Sequence, residues 1–246
     1  MSMIFFKQPA ALDKEKHRNV RLKPAARGYS FAKSVNAVPV TITEMAAASS
    51  QYPVVFALNA DGSGVPMAIL GIRDNENLFV DSEGQWDADY IPGFVRCYPF
   101  ALQRTEKDGE AFIAIDEGYD GINELEGAQL FTDEGKPAMH LQQTISALEQ
   151  FYRQERASAD FVKMLSQYNL LTSKVLEINA ADNTKFKLHG FYVIDEAKLN
   201  ELGDAVLLDL ARHGGFGFIY AHLFSLGTMA RLIRRLEQRL EMGQAA

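Results

Sequence analysis

Short apolar runs broken by polar or glycine-rich turns fill the first half of the chain, and longer apolar patterns with helical spacing fill the second. Residues 54–58, 65–72 and 78–81 are rich in side chains that suit a pleated, half-buried surface and predict a three-strand meander. The turn at 59–64 (NADGSG) supplies residues tolerant of positive φ. The bend at 73–77 (RDNEN) supplies Asp and Asn side chains able to bond their own backbone. Residues 37–42 predict a further strand, and Thr43 is placed to cap a short helix over the alanines that follow. Asp108-Gly109 between the apolar runs 100–102 and 111–115 predicts a hairpin.

Beyond residue 136 the period changes. Met139, Leu141, Ile145, Leu148, Phe151 and Tyr152, continued by Phe161, Met164, Leu165 and Tyr168, predict one long helix or a bent pair. Residues 175–179 and 185–195 flank Asp182-Asn183 as two paired strands, and Asp195 is positioned to cap the next helix. Leu199, Leu202, Val206, Leu207 and Leu210 form an apolar stripe broken at Gly203-Asp204. Gly214 sits where a helix end favours a left-handed residue, and a last helix runs from about Phe218 toward Leu240 with a bend near Gly227. The fold class is therefore α+β, with an antiparallel-rich sheet in the N-terminal half and helices plus a β-hairpin in the C-terminal half. It is read as one domain with two lobes, 30–123 and 136–242, joined by an exposed linker at 124–136.

Aromatic residues concentrate after the third run: Trp86, Tyr90, Phe94, Tyr98 and Phe100, with Pro92 placed to open a helical turn and Pro99 to end one. The spacing 86, 90, 94 puts three rings on one face of such a turn. Core packing is the first reading of these rings and a ligand cage the second. Arg73 and Arg96 beside them either cover rings with their stems or present a planar fork to a carboxylate or phosphate. The candidate ligand-binding set is thus Arg73, Trp86, Tyr90, Arg96, Tyr98 and His222.

The same stretch carries a family likeness. The segments YPVVFA (52–57), GIR (71–73), NLFVD (77–81), GQW (84–86), YIPGFVR (90–96) and YPF (98–100), with GFYVIDEAKL (190–199) and IYAHLFSL (219–226), resemble the SapC family over nearly the whole chain. That family takes its name from a bacterial surface-array (S-layer) locus. Its relatives tend to be encoded near tryptophan-halogenase-like enzymes, cupin-like proteins and TonB-dependent receptors. The resemblance implies no defined activity. A peptide-uptake permease shares the name, and the interrupted apolar run at 216–233 sets this chain apart from it, since a lipid span needs about 20 mostly apolar residues.

Composition narrows the remaining chemistry. A net charge of -7 offers no electrostatic footprint for nucleic acid. Residues 7–27 are locally basic and read as a solvated arm that packs along the acidic body, ahead of a membrane or nucleic-acid contact. Cys97 is the only cysteine, which excludes an intramolecular disulfide and a cysteine-based zinc site, and its neighbours suit a small buried hydrophobe. The apolar run 3–6 is too short for a signal-peptide core, so a cytoplasmic location is expected. None of His17, His140, His189, His213 and His222 forms a tightly spaced ligand pair, and the apolar neighbours of His222 make a hydrogen-bonded core histidine the first reading. The stretch beginning at Asp116 has Gly118 and Gly127 where a calcium loop needs ligands, and 62–64 (GSG) lacks the frame of a nucleophile elbow. Arg231, Arg234, Arg235 and Arg239 form a basic stripe on the last helix, read first as a solvated face.

No metal or cofactor is implied, and no catalytic residue is assigned. The leading expectation is a non-catalytic SapC-family accessory protein that recognises a partner protein or a small acidic ligand. The alternative is an enzyme of undefined class acting beside a redox or halogenase-like partner, with Arg73, Arg96 or His222 in a cleft.

Overall fold

The computed structural model describes residues 3–105, 109–179 and 185–244. In chain order the strands are β1 Pro9–Ala11, β2 Arg21–Leu22, β3 Ala37–Pro39, β4 Val54–Leu58, β5 Gly64–Ile69, β6 Phe100–Arg104, β7 Ala111–Asp116, β8 Ile122–Asn123, β9 Ala128–Gln129, β10 Leu171–Asn179 and β11 Lys185–Ile194. The α-helices are α1 Met45–Ser49, α2 Gly93–Arg96, α3 Met139–Gln167, α4 Glu196–Asn200, α5 Asp204–Arg212, α6 Gly215–Ser225 and α7 Met229–Gln244. Antiparallel sheets in the first half and helices in the second make the chain α+β, as its patterning predicts.

Two compact units divide the chain. The first comprises Met1–Ala32, Val80–Trp86 and Phe94–Arg153; the second comprises Lys33–Phe79, Asp87–Gly93 and Gln154–Ala246. This interleaving differs from the contiguous lobes 30–123 and 136–242 read from the sequence. In the second unit the late hairpin joins the early sheet, through the antiparallel pairing of Tyr192 in β11 with Phe56 in β4. The break between the units falls inside α3, between Arg153 and Gln154.

In the first unit β6 and β7 form the expected hairpin, Phe100 opposite Ile115 through Arg104 opposite Ala111, and β1 adds to the other edge of β7. Asp108 of the predicted turn lies outside the described residues, while Gly109 has a φ of 71°. Two expectations change here. Residues 7–27 do pack on the rest of this unit, but as paired strands rather than a solvated arm: β1 pairs with β7, β2 pairs with both β8 and β9, and Leu22 is buried. Residues 124–136 are not a linker, because β9 lies within them and Leu130 and Phe131 pack with Leu22, Phe100, Ile115, Leu141 and Leu148 in one apolar core. Their polar composition hid two core side chains.

In the second unit the sheet order is β10-β11-β4-β5-β3. Residues 54–58 and 65–69 behave as predicted, but the third meander strand does not form at 78–81. The far edge of β5 is already taken by β3, with Ala37 opposite Ile69, so no sheet edge remains for it there. Only an isolated bridge links Val80 to Trp86. The helical face predicted for Trp86, Tyr90 and Phe94 is also absent: α2 begins at Gly93, after Pro92, and is four residues long. Proline at a helix entrance explains that start. Thr43 caps no helix; Thr41 instead caps a 3-10 turn, Ile42–Glu44, that leads into α1, and its backbone N–H and hydroxyl both donate to the Glu44 carboxylate at 2.9 Å.

The second half matches its patterning more closely. β10 and β11 pair along their length with a shift between Lys174 and Leu176, where Gly190 at a φ of 80° accommodates the extra residue of a bulge. Asp182-Asn183 between these strands lies outside the described residues. Asp195 caps α4 by accepting from Ala197 and Lys198 N–H groups, and Gly214 adopts the left-handed conformation expected after α5. A 3-10 turn at Leu226–Thr228 separates α6 from α7, which is the bend expected near Gly227. The stretch Gly215–Glu241 is long and apolar enough to cross a membrane by length and composition alone, while Ile219, His222, Ser225, Thr228, Leu232 and Leu236 along it are buried.

Candidate functional site

Most buried polar groups are committed to the backbone. In the first unit Asp116 is fully buried and accepts hydrogen bonds from the Lys7 and Gln8 N–H groups at 2.9 and 2.8 Å, from Gly118 N–H at 3.0 Å and from the Tyr98 hydroxyl at 2.8 Å. Burial works to raise its carboxyl pKa, but these donors outweigh it and hold the group below the usual carboxylate range. The same burial and carboxylate push the Tyr98 phenol well above its ordinary value. This is a knot that fastens the N-terminal segment to the hairpin, and its four donors leave no calcium loop at Asp116.

The aromatic cluster lies in the same unit, but its partners come from a different part of the chain than the sequence suggested. Tyr98 stacks on Phe31 at 4.1 Å and meets Phe5, Phe6 and Tyr119 edge-on, while Trp86 meets Tyr29 edge-on at 5.6 Å. Phe5, Phe6 and Phe31 were not anticipated as members, because rings far apart in sequence share no spacing. Trp86 and Tyr98 are half-buried and Arg96, at the end of α2, is exposed. His17 in this unit is buried, accepts from Asp13 N–H through Nδ1 at 2.9 Å and reaches the Glu117 carboxylate through Nε2 at 2.9 Å. Both its ring nitrogens are therefore engaged.

In the second unit Tyr90 donates its hydroxyl to Glu44 at 2.6 Å, and Gly93 N–H donates to the same oxygen at 2.6 Å. With the two Thr41 donors, the buried Glu44 carboxylate fastens the 90–93 turn to the start of the first helical turn. His222 lies fully buried on α6. Its Nδ1–H donates to the Val54 carbonyl at 2.8 Å, and its Nε2 accepts from Ile194 N–H at 3.1 Å. Ser225, one turn on, accepts from Val54 N–H at 2.9 Å and donates to the His222 carbonyl at 2.6 Å. Burial pulls the imidazole down to about pKa 4, against the opposing effect of the Val54 hydrogen bond. His222 is the hydrogen-bonded core histidine that its apolar neighbours predict, with no ring nitrogen left for a ligand or proton transfer.

Arg73 is placed differently. With Lys33, Ser34, Asp74, Asn75, Glu76 and Arg239 it lines an open cleft of about 450 Å³ in the second unit. The bend that carries it is braced from both sides: Asn75 has a φ of 58°, Asn36 donates to the Arg73 carbonyl at 3.3 Å, and Asn77 N–H donates to the Lys33 carbonyl at 2.9 Å. Arg239 on α7 reaches the Asn77 carbonyl at 2.9 Å, which brings the last helix to the same rim. The Arg73 guanidinium grips buried Glu76, through Nε to Oε2 at 3.0 Å and through a second, shorter contact to Oε1, and this pairing raises its pKa further.

Of the six candidate residues, only Arg73 lines the cleft; Tyr90 and His222, in the same unit, do not. Trp86, Arg96 and Tyr98 belong to the first unit. Lys33 and Arg239 were not singled out together, and no sequence signal joins residues so far apart. Among the described residues no group of three or more His, Cys, Asp or Glu side chains is arranged to hold a metal ion.

The model of the SapC family matches residues 12–232. The chain belongs to the SapC family. The match takes in β4, the Arg73 bend, the 90–100 turn and α6, and ends at Leu232, so Arg239 of the cleft lies beyond it. No curated protein and no solved structure matches the chain. The S-layer association and the bacterial gene neighbours thus remain implications of the family resemblance.

Proposed function

We propose that this SapC-family protein is a non-catalytic binding protein whose ligand is a small, polar, acidic molecule held in the cleft around Arg73. The observation that carries this reading is the lining: Lys33, Arg73 and Arg239 converge on one opening, with Ser34 and Asn75 as further polar groups. Its volume is that of a small-molecule site, but binding pockets for drug-like molecules are predominantly apolar. A hydrophilic anion suits a charged, open lining better. Three cations against the carboxylates of Asp74 and Glu76 favour negative charge, and the Glu76 carboxylate is already held by Arg73. The commitment of His17, His222, Glu44 and Asp116 to hydrogen bonds within the fold supports binding over catalysis, because none presents an unengaged group for proton transfer.

Thermal unfolding with inorganic phosphate, citrate, succinate and a short oligoglutamate tests the reading. A ligand bound only by the native state at 100 times its Kd stabilises by about 2.7 kcal/mol. At least one of the four should raise the melting temperature, with the rise shrinking at high salt and disappearing in a Lys33→Ala/Arg239→Ala double variant. No shift with any of them, or a shift unaffected by the double variant, removes the cleft as the site.

A further inference from the structure

We infer that the outer face of α6 and the start of α7 is a docking surface for an anionic lipid bilayer, lying along the membrane rather than crossing it. On α6, Phe216, Tyr220 and Phe224 recur every four residues and form an aromatic ladder, with ring centroids 6.5 Å apart for the first pair and 6.2 Å for the second. The rings point outward. Tyr220 is 46% exposed and Phe224 75%, while Ile219, His222 and Ser225 on the opposite side of the helix are buried. A large exposed aromatic is common singly; a series of them in contact on one helix face is not what solvent favours.

Charge indicates what covers this face. The protein carries a net charge of -7, yet residues 215–236 contain no Asp or Glu, and Arg231, Arg234 and Arg235 fall within that acid-free stretch. Arg235 turns inward to Asp87 at 2.6 Å, but Arg231 and Arg234 are exposed. Arg231 makes a hydrogen bond to the Ser50 carbonyl at 3.1 Å and faces no carboxylate in it. Rings on α6 followed by exposed arginines at the start of α7 match the composition of interfacial segments, whose apolar side chains enter the headgroup boundary while cations meet lipid phosphates.

Area and shape favour a bilayer over a second protein. An aromatic side chain buries about 150–250 Å². Three of them, one already half-buried, fall short of the roughly 800 Å² per partner of a stable protein interface. A row of rings along a helix forms a ridge, and a fluid bilayer conforms to a ridge where a protein partner needs a matching groove. This face does not include the residues of the Arg73 cleft, so the two proposals stand or fall separately.

The test is flotation of the full chain with vesicles of phosphatidylcholine alone and of phosphatidylcholine with one-quarter phosphatidylglycerol, alongside sedimentation to measure self-association. Wild type should float with the anionic vesicles, and far less with the neutral ones. Phe224→Ser should lower partitioning about tenfold, the scale expected for losing one inserted ring. Arg231→Gln/Arg234→Gln should weaken binding to anionic vesicles and leave the weak neutral binding unchanged. Melting temperatures should be unchanged in Phe224→Ser, so that loss of binding is not loss of fold. Absence of flotation, or Phe224→Ser floating as well as wild type, overturns the proposal. A wild-type dimer that Phe224→Ser converts to monomer, without vesicle binding by either, would assign the ladder to a second copy of the chain and overturn it as well.

Discussion

The seam that holds His222 and the bend that holds Arg73 belong to the same unit and are both rich in polar groups, but those groups face different things. At the seam, the imidazole and the Ser225 hydroxyl saturate both backbone groups of Val54 and the N–H of Ile194, entirely inside the protein. At the bend, Asn36, Lys33 and Asn77 brace the backbone, and the side chains of Lys33, of Arg73 paired with Glu76 and of Arg239 bonded to the Asn77 carbonyl line an open cleft. An ionisable residue with its polar atoms saturated by backbone acts as a structural pin, and its substitution reads out as stability. One that lines an opening can be altered at much smaller structural cost. The distinction is testable residue by residue.

The largest effect is expected at Asp116, the pin of the first unit. Asp116→Ala removes the acceptor for three N–H groups and the Tyr98 hydroxyl. Leaving several buried donors unpaired should cost about 3–5 kcal/mol, a large part of a domain's stability, and denaturant unfolding measures it. Asp116→Asn keeps one acceptor oxygen and should lie between the two. If Asp116→Ala unfolds like wild type, the pin is not holding the N-terminal segment to the hairpin.

His222 gives the next largest effect and a signature in pH. Its pKa falls from the ordinary 6.5 to about 4 on folding, so between those values the unfolded chain binds a proton that the native protein does not. Its contribution is therefore fully present above about pH 6.5 and is lost as pH falls toward 4. Over that window it amounts to something on the order of 3 kcal/mol. Urea unfolding of wild type and His222→Ala at pH 7, 5.5 and 4.5 should show the variant less stable at pH 7 and the gap narrowing with acid. A gap constant with pH would mean the imidazole is not buried in the neutral form.

The same contrast explains what could be read from the sequence. Periodicity carried α3, whose spacing buries Leu141, Leu148, Phe151, Phe161 and Leu165, and local chemistry carried the Asp195 cap and the turn at Gly214. These depend on neighbours within a few residues. The pairing of Tyr192 with Phe56, the rings of Phe5 and Phe31 on Tyr98, and the Tyr90 and Gly93 donors to Glu44 depend on partners far along the chain, and one sequence has no signal for them. Leu130 and Phe131 were hidden in a stretch whose polar composition reads as linker. At the cleft, Arg73 was legible because it stands beside a turn and an aromatic run. Lys33 and Arg239 become its neighbours only through the fold.

The smallest effects on stability, and the sharpest test of the comparison, are expected at the cleft residues Arg73 and Lys33. Its guanidinium holds Glu76 through two contacts, and Arg73→Lys keeps the charge and most of the stem but replaces the planar fork by a point charge. The Arg73 side chain is 37% exposed and screened by solvent, so losing one of the two contacts should cost about 1 kcal/mol or less. That corresponds to a fall of roughly 2–4 °C in melting temperature for a protein of this size. Lys33→Ala, at an exposed position, should stay within about 0.5 kcal/mol of wild type. Ligand-induced shifts then separate the roles. With the fork occupied by Glu76, an anion should be recognised through the Lys33 and Arg239 side of the cleft, so Arg73→Lys should retain most of the shift that Lys33→Ala loses. The opposite pattern would mean that Arg73 releases Glu76 when ligand arrives, and the bend would then behave as a binding element whose internal ion pair is exchanged for the ligand.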